Sequence, residues 1–177
     1  MECNTCCFTG HRPSRFEFGE NEEAKECIYI KEFLEVEIVN LIEYCNVKRF
    51  ITGMALGVDT WAAEAVLALK EKYDIALVAA IPYPEQTRDW SLKDKKRYHD
   101  ILERCDEKVV VSPEFSKDVM QKRNKYMVDN SEYVIGIWDG NLRSGTANTL
   151  KYAQKQNKDV QVLRYNKQKF GGMIFFL

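Results

Sequence analysis

Residues 6–13, with the sequence CCFTGHRP, decide the class of fold. The first residues of this stretch are small and apolar, which is typical of a strand covered on both faces. The apolar run stops at Thr9 and Gly10, and His11 and Arg12 follow at once. Polar side chains therefore lie directly at the end of a predicted buried strand. The residues that follow the other predicted strands indicate what these side chains could contact.

Five further apolar runs, most of them rich in valine and isoleucine, predict strands at residues 49–52, 75–81, 108–111, 133–138 and 160–163. Helical periodicity lies between them, at residues 30–45, 62–73, 91–105, 117–130 and 145–157. Ser91 and Asp94 have the spacing of a capping box at the start of the third helix. This repeated alternation predicts an α/β fold, a mostly parallel sheet with helix layers on both faces.

The composition narrows the class of protein. A length of 177 residues predicts one domain spanning residues 1–177. The 26 basic and 27 acidic residues nearly cancel, which argues against a duplex-binding protein because such proteins usually carry excess positive charge.

The cysteines and the hydropathy pattern also bear on location. One Cys-x-x-Cys pair, at Cys3 and Cys6, has no second pair to complete a zinc site, so we predict structural cysteines and no bound metal. The start of the chain lacks the pattern of a signal peptide, and no apolar run is long enough to cross a bilayer. We therefore expect a cytoplasmic protein without membrane contact.

Ligands of an open parallel sheet bind beyond the carboxyl ends of its strands. The residues that follow the predicted strands are therefore candidates for a ligand site. They are Thr9, Gly10, His11 and Arg12, then Gly53, Met54, Gly57 and Asp59, then Tyr83 and Trp90, then Arg123 further on in a helix, and finally Asp139, Ser144, Gly145 and Thr146.

These residue types suit a ligand that carries phosphate. Gly53 and Gly57 flank a turn into a helix, where backbone N–H groups and the helix dipole favour an anion. The hydroxyls of Ser144 and Thr146 are expected to donate to the ligand at a second helix start, and Arg12 and Arg143 could add charge-assisted hydrogen bonds. Tyr83 and Trp90 are candidates for stacking on a base.

Each candidate also has a structural interpretation. Asp59 has the residue type of a helix cap, and the glycines suit tight strand–helix turns whether or not a ligand binds. Tyr83 and Trp90 could belong to the core, and His11 could orient a loop instead of acting as a base. Arg123 could form an ion pair with Asp129 or Glu114 instead of contacting a ligand.

Five segments together resemble the YpsA-like family of the SLOG superfamily, which also includes DprA and the LOG-type phosphoribohydrolases. They read TGHRP, GMALGVDTWAAE, PYPEQTRDW, RNKYMVDNSEYVIGIWDG and SGTANTLKYA. The resemblance spans residues 5 to about 165 and implies a Rossmann-like three-layer fold with a pocket for nucleotides or derivatives such as ADP-ribose. It assigns ligand binding to Thr9, Gly10, His11, Arg12, Gly53, Asp59, Gly145 and Thr146.

One departure from the LOG-type enzymes concerns catalysis. Those enzymes carry a glutamate three residues after the threonine of the glycine-rich loop, and Thr149 stands at that place here. Such a carboxylate would stabilise the oxocarbenium-like state of N-glycosidic cleavage. Asp59 and Glu64 are the weak candidates to replace it.

Three functional hypotheses follow. The first is a protein that binds or senses a nucleotide-derived small molecule and needs no cofactor. The second is an N-glycosidic nucleotide hydrolase, and the third is a single-stranded DNA-binding protein like DprA, which acidic residues among the lysines of residues 93–97 disfavour. The apolar end of the chain, GGMIFFL, predicts packing on the body or against a second copy in a homodimer.

Overall fold

The computed structural model describes residues 4–165. Within them, parallel strands alternate with helices in the order that the sequence predicts. The elements are β1 (Asn4–Gly10), α1 (Lys25–Cys45), β2 (Val47–Thr52), α2 (Val58–Leu69), β3 (Ala76–Ile81), α3 (Leu92–Arg104), β4 (Glu107–Val110), α4 (Val119–Asp129), β5 (Tyr133–Trp138), α5 (Gly145–Lys155) and β6 (Asp159–Arg164). A short 3-10 helix over Pro13–Arg15 follows β1.

The six strands form one sheet in the order β4-β3-β2-β1-β5-β6, and every neighbouring pair is parallel. Helices α1, α2 and α3 pack on one face, where Phe8 and Phe50 stack with ring centroids 6.0 Å apart. Helices α4 and α5 cover the other face through residues such as Met127 and Leu150. The predicted Rossmann-like three-layer fold is confirmed, and the sheet is parallel throughout.

The strand order reverses direction at β1. The chain builds outward from β1 through β2 and β3 to β4, then returns to place β5 on the opposite side of β1. Loops that leave β1 and β5 therefore diverge toward opposite faces of the sheet. Such a switch point opens a crevice at the carboxyl ends of the strands, which is where ligands bind in folds of this type.

Successive residues of β1 alternate between the two layers. Cys6 packs with the α1–α3 layer and Cys7 with the α4–α5 layer, and both are fully buried. Burial raises the pKa of the Cys7 thiol to about 12, so this sulfur is an unreactive packing group. Within residues 4–165, no group of three or more histidine, cysteine or acidic side chains is placed to hold a metal ion.

The remaining predictions about the fold have mixed outcomes. Ser91 begins α3 as predicted: its hydroxyl accepts the Asp94 N–H at 3.1 Å and lies 2.6 Å from the Asp94 carboxylate. The apolar end of the chain lies outside the described residues. Among the described helices, none combines the length and the apolar character that crossing a bilayer requires.

A network of ion pairs and hydrogen bonds connects the segment before α1 to helices α2 and α3. Arg97 on α3 contacts both Glu22 and Glu64, with its Nε 2.6 Å from the Glu64 carboxylate. Glu22 also accepts from Trp61 Nε1 at 2.9 Å and from Lys31 at 2.6 Å. These donors outweigh partial burial and lower the pKa of Glu22 to about 2.

We expect Arg97→Met to lower the free energy of unfolding by about 1–2 kcal/mol at neutral pH, because the carboxylates of Glu22 and Glu64 lose a partly buried ion-pair partner. The folded-state pKa of Glu22 lies below its ordinary value of 4.5, so its contribution is present above that pH and is lost as pH falls toward about 2. Urea unfolding should therefore show the deficit narrowing in acid. Arg88→Met, which removes an exposed arginine beside Asp89, is the control and should change little. A constant deficit at all pH values would contradict the assignment.

Candidate functional site

A cavity of about 470 Å³ lies at the carboxyl ends of β1 and β5, at the switch point of the sheet. Its wall combines the end of β1, the loop after β2, the start of α5 and one side of α4. The lining residues are Phe8, Thr9, Gly10, His11, Arg12, Ser14, Arg15, Ala55, Asp59, Met120, Arg123, Asn124, Arg143, Ser144, Gly145 and Thr146.

Most of the residues predicted from the sequence meet at this cavity. Nine line it directly: Thr9, Gly10, His11, Arg12, Asp59, Arg123, Ser144, Gly145 and Thr146. Four more adjoin lining residues: Gly53, Gly57 and Asp139 approach them in space, and Met54 directly precedes Ala55 in the chain. Tyr83, Trp90 and Glu64 lie elsewhere. The prediction that distant loops gather at one edge therefore agrees with the placement of most candidates.

The start of α5 supplies backbone donors. Ser144 caps this helix: its hydroxyl accepts the Ala147 N–H at 3.1 Å and donates to the Asn141 carbonyl at 2.9 Å. The N–H groups in the first turn of a helix have no acceptor within the helix, so those of Gly145 and Thr146 remain as donors beside the cavity. Ser144 was expected to donate to a ligand, but its hydroxyl is engaged in forming the helix start.

His11 lies between two loops and is 5% exposed. Its Nε2 is 2.9 Å from Asp139 Oδ1, and its Nδ1 is 3.3 Å from Thr146 Oγ1. Burial lowers the pKa of His11, and the nearby Asp139 carboxylate opposes that effect in part. His11 thus joins the end of β1 to the loop after β5 and to α5, consistent with its interpretation as a loop-orienting residue.

Arg123 reaches the cavity from α4 and is buried against Asp59 of α2. The distance from Arg123 Nη1 to Asp59 Oδ2 is 3.2 Å, and the same oxygen accepts the Ala55 N–H at 3.3 Å. Burial raises the pKa of Asp59, and the positive charge of Arg123 holds part of that rise back. In the structure, Arg123 therefore pairs with Asp59 and not with Asp129 or Glu114, the partners considered from the sequence.

The Arg123 guanidinium is incompletely satisfied. Its Nε is buried and has no hydrogen-bond partner among the described residues. A buried donor without an acceptor costs free energy comparable to a lost hydrogen bond. An anion in the cavity would offer that acceptor, so this arginine points to a ligand more directly than an exposed one does.

Two glycines permit the loop after β2 to approach its neighbours. At Gly53, a Cβ atom would overlap the Arg123 guanidinium and lie 2.6 Å from Asp59 Oδ2. Gly57 has a φ of +88°, and a Cβ there would lie 2.6 Å from the His11 carbonyl oxygen. That carbonyl accepts the Val58 N–H at 3.4 Å, so Gly57 lets the start of α2 contact the end of β1.

Asp59 is not the cap of α2, because Gly57 occupies the N-cap position and Asp59 lies in the first turn. Its side chain instead links the loop after β2 to α4. Of the two interpretations left open for Asp59, the capping one therefore does not describe the structure.

The charge of the cavity wall is strongly positive. Four arginines line it, at positions 12, 15, 123 and 143, against one carboxylate, that of Asp59. Arg15 is paired with Asp139 at 2.8 Å. The exposed side chain of Arg12 has no ion-pair partner within residues 4–165, and its charge acts on both Asp59 and Arg123. Arg12 is therefore available to an anion that enters.

Of the two aromatic candidates, Trp90 packs against the core, whereas Tyr83 contacts the exposed Phe115. Trp90 packs edge-on against Tyr98 of α3, with ring centroids 5.6 Å apart, and Tyr83 packs in the same way against Phe115 at 5.4 Å. Neither lines the cavity at the switch point. The third strand lies two positions from β1 in the sheet, so residues that follow it are displaced from the crevice.

Glu64 lies on the opposite side of α2 from the cavity, where Arg97 neutralises it. Residues outside the predicted set do line the cavity, including Met120 and Asn124 on α4. Met120 lies three positions before Arg123 and four before Asn124, and residues three or four apart are neighbours on a helix surface, so this spacing is a sequence signal for them.

Comparison with known families identifies the chain. The family model YpsA, described as the YspA SLOG family, matches residues 6–168. The chain belongs to this YpsA family of SLOG proteins, and the resemblance seen in the sequence is confirmed.

Several bacterial relatives of this YpsA family member cover most of its length. The uncharacterized SPbeta prophage-derived protein YoqJ of Bacillus subtilis is 40% identical over 139 residues, which cover 71% of this chain and 81% of the relative. A UPF0398 protein of Halalkalibacterium halodurans is 32% identical over 133 residues, covering 73% and 70%. The UPF0398 protein YpsA of Bacillus subtilis is 27% identical over 154 residues, covering 85% and 84%.

Gly57→Ala is expected to lower the free energy of unfolding by about 1–3 kcal/mol, because it forces a side chain into positive φ and against the His11 carbonyl. Thermal or urea unfolding measures the effect. Gly145→Ala is the matched control, since a Cβ there meets no atom within 4 Å. Equal stability of the two variants would show that the Gly57 contact does not constrain the loop.

Proposed function

We propose that this protein binds a nucleotide or a nucleotide derivative of the ADP-ribose type at the switch-point cavity and acts as a binding or sensing protein. The observation that carries the proposal is the wall of four arginines against one carboxylate beside the start of α5. A surplus of fixed positive charge with backbone donors favours phosphate groups. The cavity volume of about 470 Å³ lies in the range of small-molecule sites.

The phosphate is assigned to the mouth of the cavity. The exposed Arg12 side chain and the N–H groups of Gly145 and Thr146 lie there, on two segments held together by the His11–Thr146 contact. Arginine can donate two parallel hydrogen bonds to one phosphate, and the helix start adds a favourable dipole. Arg123, which is buried where Arg12 is exposed, would donate from a second side to the same anionic group or to another one.

Asp59 is assigned to a ribose hydroxyl. Its Oδ2 is engaged by Arg123 and Ala55, which fixes the carboxylate plane and leaves the other oxygen for a ligand donor. A carboxylate accepts hydroxyl hydrogen bonds well and would repel a phosphate placed beside it. The ligand would therefore lie with phosphate toward Arg12 and sugar toward Asp59.

ADP-ribose is expected to raise the melting temperature of the protein, because a ligand that binds the folded state stabilises it by mass action. Arg12→Ala should remove most of that rise and weaken binding by about tenfold or more, through loss of charge-assisted hydrogen bonds. Arg88→Ala, an exposed arginine outside the cavity, should keep the rise in full. Differential scanning fluorimetry and isothermal titration calorimetry measure both effects.

The absence of any shift with ADP-ribose, AMP, ADP and NAD would contradict the proposal. An equal loss of binding in the Arg12 and Arg88 variants would remove Arg12 from the assignment. The unliganded Arg12→Ala protein should keep its melting temperature within a few degrees, since the side chain is exposed.

A second candidate function is hydrolysis of an N-glycosidic bond, which Asp59 favours because its buried carboxyl lines the cavity and has a raised pKa. If the protein is such a hydrolase, it should release free base from nucleoside monophosphates, and Asp59→Asn should abolish the release. Chromatography of reactions at high protein concentration measures it. Binding of ADP-ribose without any release of base would support the sensing function instead.

Homodimer formation and binding of single-stranded DNA stay predictions. The first depends on the apolar end of the chain, outside the described residues. The second needs exposed aromatic platforms along a basic track, and Trp90 packs against Tyr98 instead. A salt-dependent mobility shift with an oligonucleotide would favour the DNA-binding alternative.

A further inference from the structure

We propose that His11 is a proton-controlled positioning residue, which sets whether the Thr146 hydroxyl accepts or donates a hydrogen bond in the cavity. Anionic ligands of the diphosphate class would consequently bind more tightly to the form protonated at His11. The ligand part of this inference rests on the proposed function, because it places the anion at the same cavity.

The contacts of His11 fix the position of its proton in the neutral form. Two groups of Asp139 compete for Nε2: the carboxylate Oδ1 lies 2.9 Å away as an acceptor, and the backbone N–H is directed at the same nitrogen from 3.2 Å as a donor. A ring nitrogen cannot be donor and acceptor at once, and the charge-assisted bond to the carboxylate is the stronger one. We therefore assign the proton to Nε2, which leaves Nδ1 as an acceptor.

This tautomer determines the direction of the Thr146 hydroxyl. Thr146 Oγ1 is 3.3 Å from Nδ1, so in the neutral form the hydroxyl donates to the ring. The hydrogen is then turned away from the cavity, and the oxygen presents its lone pairs as acceptors. Thr146 lines the cavity in the first turn of α5, so these lone pairs oppose an anionic oxygen placed at the helix start.

Protonation of His11 reverses the arrangement. Both ring nitrogens then donate, Nε2 to Asp139 and Nδ1 to Thr146 Oγ1. The hydroxyl hydrogen is released and can turn toward the cavity, where it joins the backbone donors of Gly145 and Thr146. Protonation thus adds one positive charge and one hydrogen-bond donor at the place assigned to phosphate.

The charged groups around His11 place the switch in the acid range. Burial and the positive charge of Arg15 lower the pKa of the imidazole, while Asp139 raises it, and the net direction is downward from 6.5. The other charged groups that line the cavity are Arg12 on the same loop, Asp59 on α2, Arg123 on α4 and Arg143 before α5. Asp59 is paired with Arg123, and an anion that enters the cavity would add negative charge that stabilises the imidazolium.

The sign of the pH dependence follows from linkage. An anion that binds the protonated form more tightly raises the pKa of His11, so its affinity increases as pH falls through the range in which His11 gains its proton. ADP-ribose is the probe of choice because its diphosphate is esterified at both ends and lacks the second ionisation of a phosphate monoester, whose pKa is about 6. The ligand's charge therefore stays constant while that of His11 changes.

The test is isothermal titration calorimetry with ADP-ribose at about pH 5 and about pH 8, on the full chain. The expected result is binding about three- to tenfold tighter at the lower pH. His11→Gln can still donate to Asp139 but does not titrate, so its affinity should lose most of this dependence. His99→Gln removes the other histidine of the chain, exposed on α3, and should behave as the unmodified protein does.

A ligand-free measurement separates this inference from the proposed function. ¹⁵N NMR of the imidazole side chains should find the Nε2–H tautomer of His11 at neutral pH and its protonation at a pH below 6.5. An Nδ1–H tautomer, or equal pH dependence of affinity in the His11→Gln variant, would overturn the inference while leaving anion binding intact. No binding of ADP-ribose at either pH would overturn both the proposed function and the ligand part of the inference. In that case the NMR measurement alone would test whether protonation of His11 changes the hydrogen bond of Thr146.

Discussion

The cavity depends on one buried charge, the guanidinium of Arg123, and on the single carboxylate that neutralises it. A buried charge must be paired, and removal of its partner is strongly destabilising, so Asp59 fixes α4 relative to α2. The same pair demands glycine at position 53, where any side chain would overlap the guanidinium. Because one carboxylate cannot satisfy a whole guanidinium, the pair also leaves the donor capacity that an anion would use.

The rest of the site follows from how the parallel sheet directs its loops. At the switch point, the loop after β1 turns toward one layer and the loop after β5 toward the other, and the crevice between them is closed by side chains. His11, at the end of β1, spans the crevice and contacts Asp139 and Thr146, which both lie on the β5–α5 side. Thus residues that hold the loops together also line the cavity of the proposed anion site, and we expect stability and binding to be coupled through them.

Much of this could be predicted from the sequence. Apolar runs alternating with helical patterns were sufficient for the fold, and the rule that ligands meet strand ends located nine of the lining residues. Tyr83 and Trp90 follow β3 and do not line this cavity, because strand order decides which loops reach the crevice and the sequence does not state it. The sequence also could not show that Thr146 uses its hydroxyl within the protein, since the His11–Thr146 contact joins residues 135 positions apart. The engagement of Ser144 is local, and serine is a favoured N-cap residue, so that role could have been predicted from the sequence.

We propose that the ligand binds in one anion-receptive cavity, at the β1–β5 switch point. A ¹H–¹⁵N NMR titration with ADP-ribose tests this location, because it reports on each backbone amide separately. We expect the largest shifts on the N–H groups of Gly145 and Thr146 and on the residues around Arg12. Shifts that cluster instead around Lys93, Lys96 and Arg104, which line a separate cavity beside α3, would contradict it.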